Sequence, residues 1–127
     1  MNGVSVFLGI EAALWVPYGI YCLFVPGVLE TGATVGATSP TGVTELRAMY
    51  GGLQLAIGIG CAWGAVRTEA RYSAVWMLFL LTAGIGMARG IGVALDGGLG
   101  AYTALALSFE IATALWAGRL LVRGVAG

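Results

Sequence analysis

The stretch Glu45-Leu-Arg-Ala-Met-Tyr-Gly-Gly-Leu-Gln54 opens the second of four long apolar runs in the chain. It places an arginine, a tyrosine and a glutamine where the neighbouring residues are suited to lipid. Residues three and four positions apart share one face of a helix. A helix through this stretch therefore aligns, on one stripe, Arg47, Gly51, Gln54, Gly58 and Cys61. We expect such a stripe of polar and small residues to face other helices rather than lipid.

The composition excludes an ordinary soluble domain. Of the 127 residues, 59% are hydrophobic and only 9% are charged, whereas soluble domains carry about 25% charged residues. A helix needs about 20 mainly apolar residues to cross a bilayer, and four such runs occupy most of the chain. We predict an all-α, integral membrane four-helix bundle that forms one domain over residues 1–127. Its helices cover about residues 4–24, 44–66, 72–95 and 100–122, with Thr44 as N-cap of the second helix and an outer loop over residues 27–43.

The arginines predict how the bundle is oriented. With four spans, both termini and the turn between the second and third helices share one side of the membrane. That side carries Arg67, Arg71, Arg119 and Arg123. Because cytoplasmic loops carry an excess of Lys and Arg, we predict that both termini are cytoplasmic and that the loop over residues 27–43 lies outside.

Polar residues recur at similar depth in all four predicted helices. At a rise of 1.5 Å per residue, Gln54, Glu110 and Trp15 all lie about 15 Å from the outer end. Ionised side chains inside a membrane are costly unless paired, and they usually mark function. We therefore predict an outward-facing polar pocket. Its candidate catalytic residues are Glu110 and Glu11, and its candidate ligand-binding residues are Arg47, Tyr50, Gln54, Arg89, Trp15 and Tyr18.

The residue inventory narrows the chemistry of such a pocket. The chain has no histidine, the commonest metal ligand and the usual proton carrier near neutral pH. We predict no metal and no cofactor. The net charge is zero, which argues against nucleic-acid binding. If the pocket is catalytic, Glu110 would act as a general acid or base on a lipophilic small molecule. Isomerisation, cyclisation or epoxide opening would suit this inventory.

Two other functions agree with the same residues. A small transporter or proton-coupled carrier would also use a carboxylate at the middle of the membrane. An accessory membrane subunit would use the acids and arginines only as buried salt bridges that fix the helices in register. The spacing of Gly86 and Gly90 matches small-residue helix contacts in membranes, so a homo-oligomer in the bilayer stays open.

Three motifs carry a resemblance to a known family. They are Glu45-Leu-Arg-Ala-Met-Tyr-Gly-Gly52, Arg89 ahead of Asp96-Gly97, and Phe109-Glu110 in the last helix. In these the chain resembles a family of small bacterial four-helix membrane proteins that is known only as a domain of unknown function and is similar to the DoxX-like group. The resemblance covers nearly the whole chain. It implies a multi-pass protein of the inner (plasma) membrane with these polar positions as family features, and it implies no established reaction.

Overall fold

The computed structural model describes residues 3–125, and these residues form helices and connecting turns without any β-strand. The all-α prediction is confirmed. The helices are α1 (Gly3–Phe24), α2 (Val28–Ala33), α3 (Pro40–Leu46), α4 (Leu53–Val66), α5 (Arg71–Asp96) and α6 (Ala101–Arg123), with a π-helical turn at Arg47–Gly52 and a 3₁₀ turn at Thr68–Ala70.

Four stretches of the described chain are long and apolar enough to cross a membrane. They are Gly3–Phe24, Pro40–Val66, Thr68–Asp96 and Ala101–Arg123. The second of these joins α3, the π turn and α4 into one span. Large apolar side chains are exposed along all four, as expected where lipid rather than water covers the protein surface.

The second span begins earlier than the sequence indicates. Thr44 is not its N-cap; that residue is Ser39, whose backbone is extended and whose Oγ accepts a hydrogen bond from the Gly42 amide at 3.2 Å. Pro40 follows as the first helical residue, where its fixed φ suits a helix start and its missing N–H removes no bond. The Thr44 hydroxyl instead donates to the Pro40 carbonyl at 3.1 Å. The expected loop over residues 27–43 therefore also contains α2 and the start of α3.

The stretch Glu45–Gln54 contains a π turn rather than a regular α-helix. Across Arg47–Gly52 the backbone bonds span five residues, and the Leu53 amide bonds to the Ala48 carbonyl. A π turn holds more residues than an α-turn, so it rotates the residues before it relative to those after it. Arg47 and Gly51 nevertheless still face α1 together, because both meet Leu23. The Arg47 guanidinium turns to α1, where it donates a hydrogen bond to the Leu23 carbonyl.

Glycines bring α1 and α4 into close contact. A Cβ added to Gly19 would lie 2.5 Å from the backbone nitrogen of Leu55, and one added to Gly51 would lie 2.6 Å from the Leu23 Cα. Neither helix leaves room for a side chain at these points. Small residues allow membrane helices to approach in this way, and the approach fixes α1 against the second span.

The four spans are arranged so that α1 contacts α4, α4 contacts α5, and α5 contacts α6. The backbones of α1 and α6 stay further apart, and long side chains bridge them. The bridges join Trp15 to Phe109 and Tyr18 to Tyr102, so the residue numbers fall along α6 as they rise along α1. The two helices are therefore antiparallel, and the first and last described residues lie at the same end of the bundle.

The apolar core occupies that same end. Its fully buried side chains come from the first halves of α1 and α5, from α4 and from the second half of α6, and they include Leu8, Ile57, Val75, Leu78 and Ala117. The opposite half of the bundle has no comparable filling among the described residues. The side of the membrane that each end faces stays a prediction.

The close contact at Gly19 gives a test of the helix arrangement. Gly19→Ala places a methyl group against the α4 backbone, and we expect the free energy of unfolding in detergent to fall by about 1–3 kcal/mol. Gly9→Ala is the matched control on the same helix, because nothing lies within 4 Å of its added Cβ. We expect Gly9→Ala to leave stability unchanged or slightly raised. Equal effects of the two changes would contradict the α1–α4 contact.

Orientation can be tested with cysteines at the two ends of the bundle. Thr38 and Thr68 are both exposed, and they lie before α3 and after α4, at opposite ends of the second span. In a background without Cys22 and Cys61, we expect an impermeant maleimide to label Thr38→Cys in intact cells and Thr68→Cys only after lysis. The reverse pattern would show that both termini lie outside.

Candidate functional site

A cavity of about 440 Å³ lies inside the half of the bundle away from the apolar core. Its volume falls within the range of about 300–1,000 Å³ that is typical of small-molecule sites. All four spans contribute to its wall. The lining residues are Leu14, Trp15 and Tyr18 from α1, Tyr50 from the π turn, Gln54 from α4, Ile85 and Arg89 from α5, and Tyr102, Leu105, Ala106, Phe109 and Glu110 from α6.

Six of the eight residues singled out in the sequence line this cavity together. They are Trp15, Tyr18, Tyr50, Gln54, Arg89 and Glu110. The remaining two, Glu11 and Arg47, lie outside the cavity lining.

An ion pair joins Arg89 to Glu110 at the wall of the cavity. The Arg89 Nη2 donates to Oε1 of Glu110 at 2.7 Å, and Nε lies 3.0 Å from Oε2. This two-pronged geometry is the strong form of an arginine–carboxylate contact. The Glu110 side chain is 6% exposed and that of Arg89 is 25% exposed. The ion pair is therefore mostly buried within the bundle. It ties α5 to α6.

Hydroxyl and amide groups surround this pair. The Tyr18 and Tyr102 hydroxyl oxygens lie 3.1 Å apart and connect α1 to α6. The Arg89 guanidinium carbon lies 6.0 Å from the centre of the Tyr102 ring, within reach of a cation–π contact. The Oε1 of Gln54 is buried and accepts no hydrogen bond from the described protein. A buried acceptor without a partner is uncommon in proteins, and here it belongs to a residue of the cavity wall.

Glu11 is buried beside the cavity instead of lining it. It is 4% exposed; its Oε2 accepts from Trp15 Nε1 at 2.9 Å and its Oε1 accepts from Thr113 Oγ1 at 3.0 Å. The Trp15 ring lies 5.7 Å from the ring of Phe109. Glu11 therefore orients the indole that forms part of the cavity wall, and it connects α1 to α6. This geometry gives Glu11 a positioning role and no direct access to a molecule in the cavity.

Arg47 lies outside the cavity lining because its side chain is bonded to α1. Its guanidinium caps the Leu23 carbonyl near the end of α1, where the last carbonyls of a helix lack internal partners. Tyr102, by contrast, lines the cavity and was not among the residues predicted. Its position eight residues before Glu110 places both on one face of a helix, so helical spacing alone could have found it.

Residues 3–125 contain no cluster of three His, Cys, Asp or Glu side chains that could hold a metal ion. Cys22 and Cys61 are both buried free thiols. The reactive groups that line the cavity are thus one carboxylate, one guanidinium, one amide and three phenols.

Four candidate spans around a shared cavity place the chain in the class of multi-pass helical membrane proteins. More specifically, it belongs to the family described as a domain of unknown function (DUF4345), whose model matches residues 4–121. The resemblance to an uncharacterised family is thereby confirmed. Comparisons with curated proteins and with solved structures give no match.

The ion pair provides a stability test. In Arg89→Met the Glu110 carboxylate loses its buried partner, and we expect the free energy of unfolding to fall by about 3 kcal/mol. The double variant Arg89→Met/Glu110→Met removes both charges and should recover most of that loss, because no unpaired charge remains. Both are measured by denaturant titration in detergent micelles.

The matched control for this test is the exposed pair of Arg67 and Glu69, whose charged atoms lie 4.0 Å apart. Exposed ion pairs contribute little, so Glu69→Gln should leave unfolding unchanged. A double variant no more stable than Arg89→Met alone would show that the two side chains are not coupled.

Proposed function

We propose that the protein binds a lipophilic small molecule in the cavity and transfers a proton on it through Glu110. The observation that carries the proposal is the convergence of six polar or aromatic candidates on one cavity of about 440 Å³. A purely structural ion pair would not require Tyr18, Tyr50 and Gln54 to surround open space at the same depth. Under the predicted orientation, the cavity lies in the outer half of the membrane.

Glu110 is the proposed acid/base group because it is the only carboxylate among the lining residues. It pairs with Arg89 at the cavity wall, and a bound molecule that displaces the arginine would find a base able to take its proton. Returning that proton to a second position completes an isomerisation or a cyclisation. Such a reaction moves a proton within the substrate and consumes no co-reactant. Tyr50, together with whichever of Tyr18 and Tyr102 accepts in their mutual bond, supplies hydroxyl donors for a carbonyl or ether oxygen of the substrate.

The apolar core supports binding over transport. Leu8, Ile57, Leu78 and Ala117 fill the bundle between the cavity and the end that carries the termini. A carrier opens its site to the two sides in turn, and this filling would have to move for the cavity to open toward the end that carries the termini. The accessory-subunit function has one observation in its favour, the bidentate Arg89–Glu110 contact that fixes α5 against α6.

A variant that fills the cavity tests binding. Ala106 lines the cavity and Ala112 is exposed on the same helix. We expect small molecules that co-purify with the parent, identified by mass spectrometry, to bind Ala106→Phe at least about tenfold more weakly, a loss of about 1.4 kcal/mol. Ala112→Phe should bind them as the parent does. Equal binding by both variants would place the molecule elsewhere on the protein.

The same molecule then tests the role of Glu110. In heavy water, proton transfer at a carbon of the bound molecule introduces deuterium, which mass spectrometry detects. We expect Glu110→Gln to retain binding and to slow this exchange by about 10²–10⁴-fold, the usual contribution of a general acid or base. A folded Glu110→Gln variant with unchanged exchange would leave a binding protein without the proposed chemistry.

A further inference from the structure

The cavity has a side opening between α1 and α6. Leu14 and Leu105 both belong to its lining, yet they are 50% and 74% exposed. In sequence, Leu14 lies on α1 just before the Trp15 and Tyr18 bridges, and Leu105 lies on α6 between Tyr102 and Phe109. On α6, Leu105 thus lies between the Tyr18–Tyr102 and Trp15–Phe109 contacts, and on α1 Leu14 lies beside the Trp15 contact.

This opening faces the bilayer. The exposed faces of membrane-crossing helices are covered by lipid, and the opening lies along the spans, between two such helices. The wide spacing of the α1 and α6 backbones contrasts with the glycine-mediated contact of α1 and α4. A molecule dissolved in the bilayer can thus reach the cavity without passing through water.

The charges of the lining favour a neutral head group. Arg89 and Glu110 are the only lining residues that are charged near neutral pH, and they neutralise each other at 2.7 Å. Because each of these charges is compensated by the other, neither side chain is free to pair with an additional anion or cation. A charged head group would either remain unpaired in apolar surroundings or displace one member of the existing pair, and both are unfavourable.

The hydrogen-bonding groups of the cavity wall favour a ligand whose head group carries a hydrogen-bond donor. Gln54 Oε1 is buried and without a partner among the described residues. Gln54 belongs to α4, so it lies across the bundle from the α1–α6 opening. Because this oxygen has almost no accessible surface, a ligand hydroxyl reaches it only when the Gln54 amide rotates toward the cavity that the residue lines. The hydroxyl then satisfies the acceptor, and a lining tyrosine donates to the hydroxyl oxygen.

We infer that the cavity takes a neutral lipid with a hydroxyl head group, which enters sideways from the bilayer between α1 and α6. The hydroxyl bonds to Gln54, and the apolar chain leaves the cavity past Leu14 and Leu105. This inference rests on the proposed function, because it names the class of molecule that the same cavity binds.

Fluorescence quenching of Trp15 tests the inference directly. Trp63, Trp76 and Trp116 are exposed, so Phe at these three positions leaves Trp15 as the only tryptophan. Three brominated probes of one chain length, a fatty alcohol, a fatty acid and an alkylamine, are titrated into phosphatidylcholine nanodiscs at a pH at which the acid and the amine are charged. We expect saturable quenching by the alcohol at a mole fraction about tenfold lower than for either charged probe. Gln54→Leu, which removes the acceptor, should abolish that preference.

The rate of quenching tests whether the ligand enters from the bilayer between α1 and α6. Leu14→Phe/Leu105→Phe narrows the opening and should slow the onset of quenching by the alcohol severalfold. Leu115→Phe changes an exposed residue of α6 outside the cavity and should leave the rate unchanged. Ala106→Phe fills the cavity and should remove saturable quenching altogether. If the background with three Phe substitutions does not fold, the quenching of the parent minus that of Ala106→Phe reports the cavity-dependent part.

The outcomes separate the inference from the proposed function. Stronger quenching by the acid or the amine would overturn the neutral head group while leaving a ligand-binding cavity intact. An unchanged rate in the Leu14→Phe/Leu105→Phe variant would overturn the sideways route. If none of the three probes quenches saturably and no small molecule co-purifies with the parent, the proposed function itself fails.

Discussion

The structure depends on the need to pair one carboxylate inside an apolar bundle. Glu110 is buried in a helix surrounded by lipid-compatible residues, where an unpaired charge would be strongly unfavourable. Arg89 meets this need from the preceding span, and its bidentate contact sets the register of the α5–α6 hairpin. The other polar side chains of the cavity wall lie around this ion pair. The cavity is therefore assembled around the ion pair.

Two kinds of helix contact determine where the cavity opens. Gly19 and Gly51 let α1 approach the second span until backbone meets backbone, so no space remains on that side. Between α1 and α6 the contacts instead use long side chains, Trp15 with Phe109 and Tyr18 with Tyr102. Side chains of this length hold helices apart while still connecting them. The difference between glycine and aromatic contacts leaves the space on the α1–α6 side.

The sequence could predict the spans and much of the cavity wall, for physical reasons that are local. A run of about 20 apolar residues has few structures other than a membrane helix, and helical spacing brings polar residues such as Gln54 and Glu110 to similar depth. It could not predict the π turn, because Arg47–Gly52 contains residues equally suited to an α-helix. It also could not predict that Arg47 donates a hydrogen bond to the Leu23 carbonyl instead of lining the cavity. Nor could it predict the partners that distinguish the two buried glutamates, which are Trp15 and Thr113 for Glu11 and Arg89 for Glu110.

The contrast between these two glutamates indicates what the cavity is suited to do. Glu11 has both oxygens occupied by hydrogen-bond donors of the protein and no arginine bonded to it. Its bonds tie α1 to α6 through Thr113 and hold the Trp15 indole in the cavity wall. Glu110 has the opposite arrangement: its partner is a cation, and its side chain reaches the open space. A bound molecule that weakened the Arg89 contact would find a carboxylate able to take its proton, whereas Glu11 offers no such exchange. One acid is thus bonded on both oxygens to side chains of the bundle, whereas the other is paired with an arginine at the cavity wall.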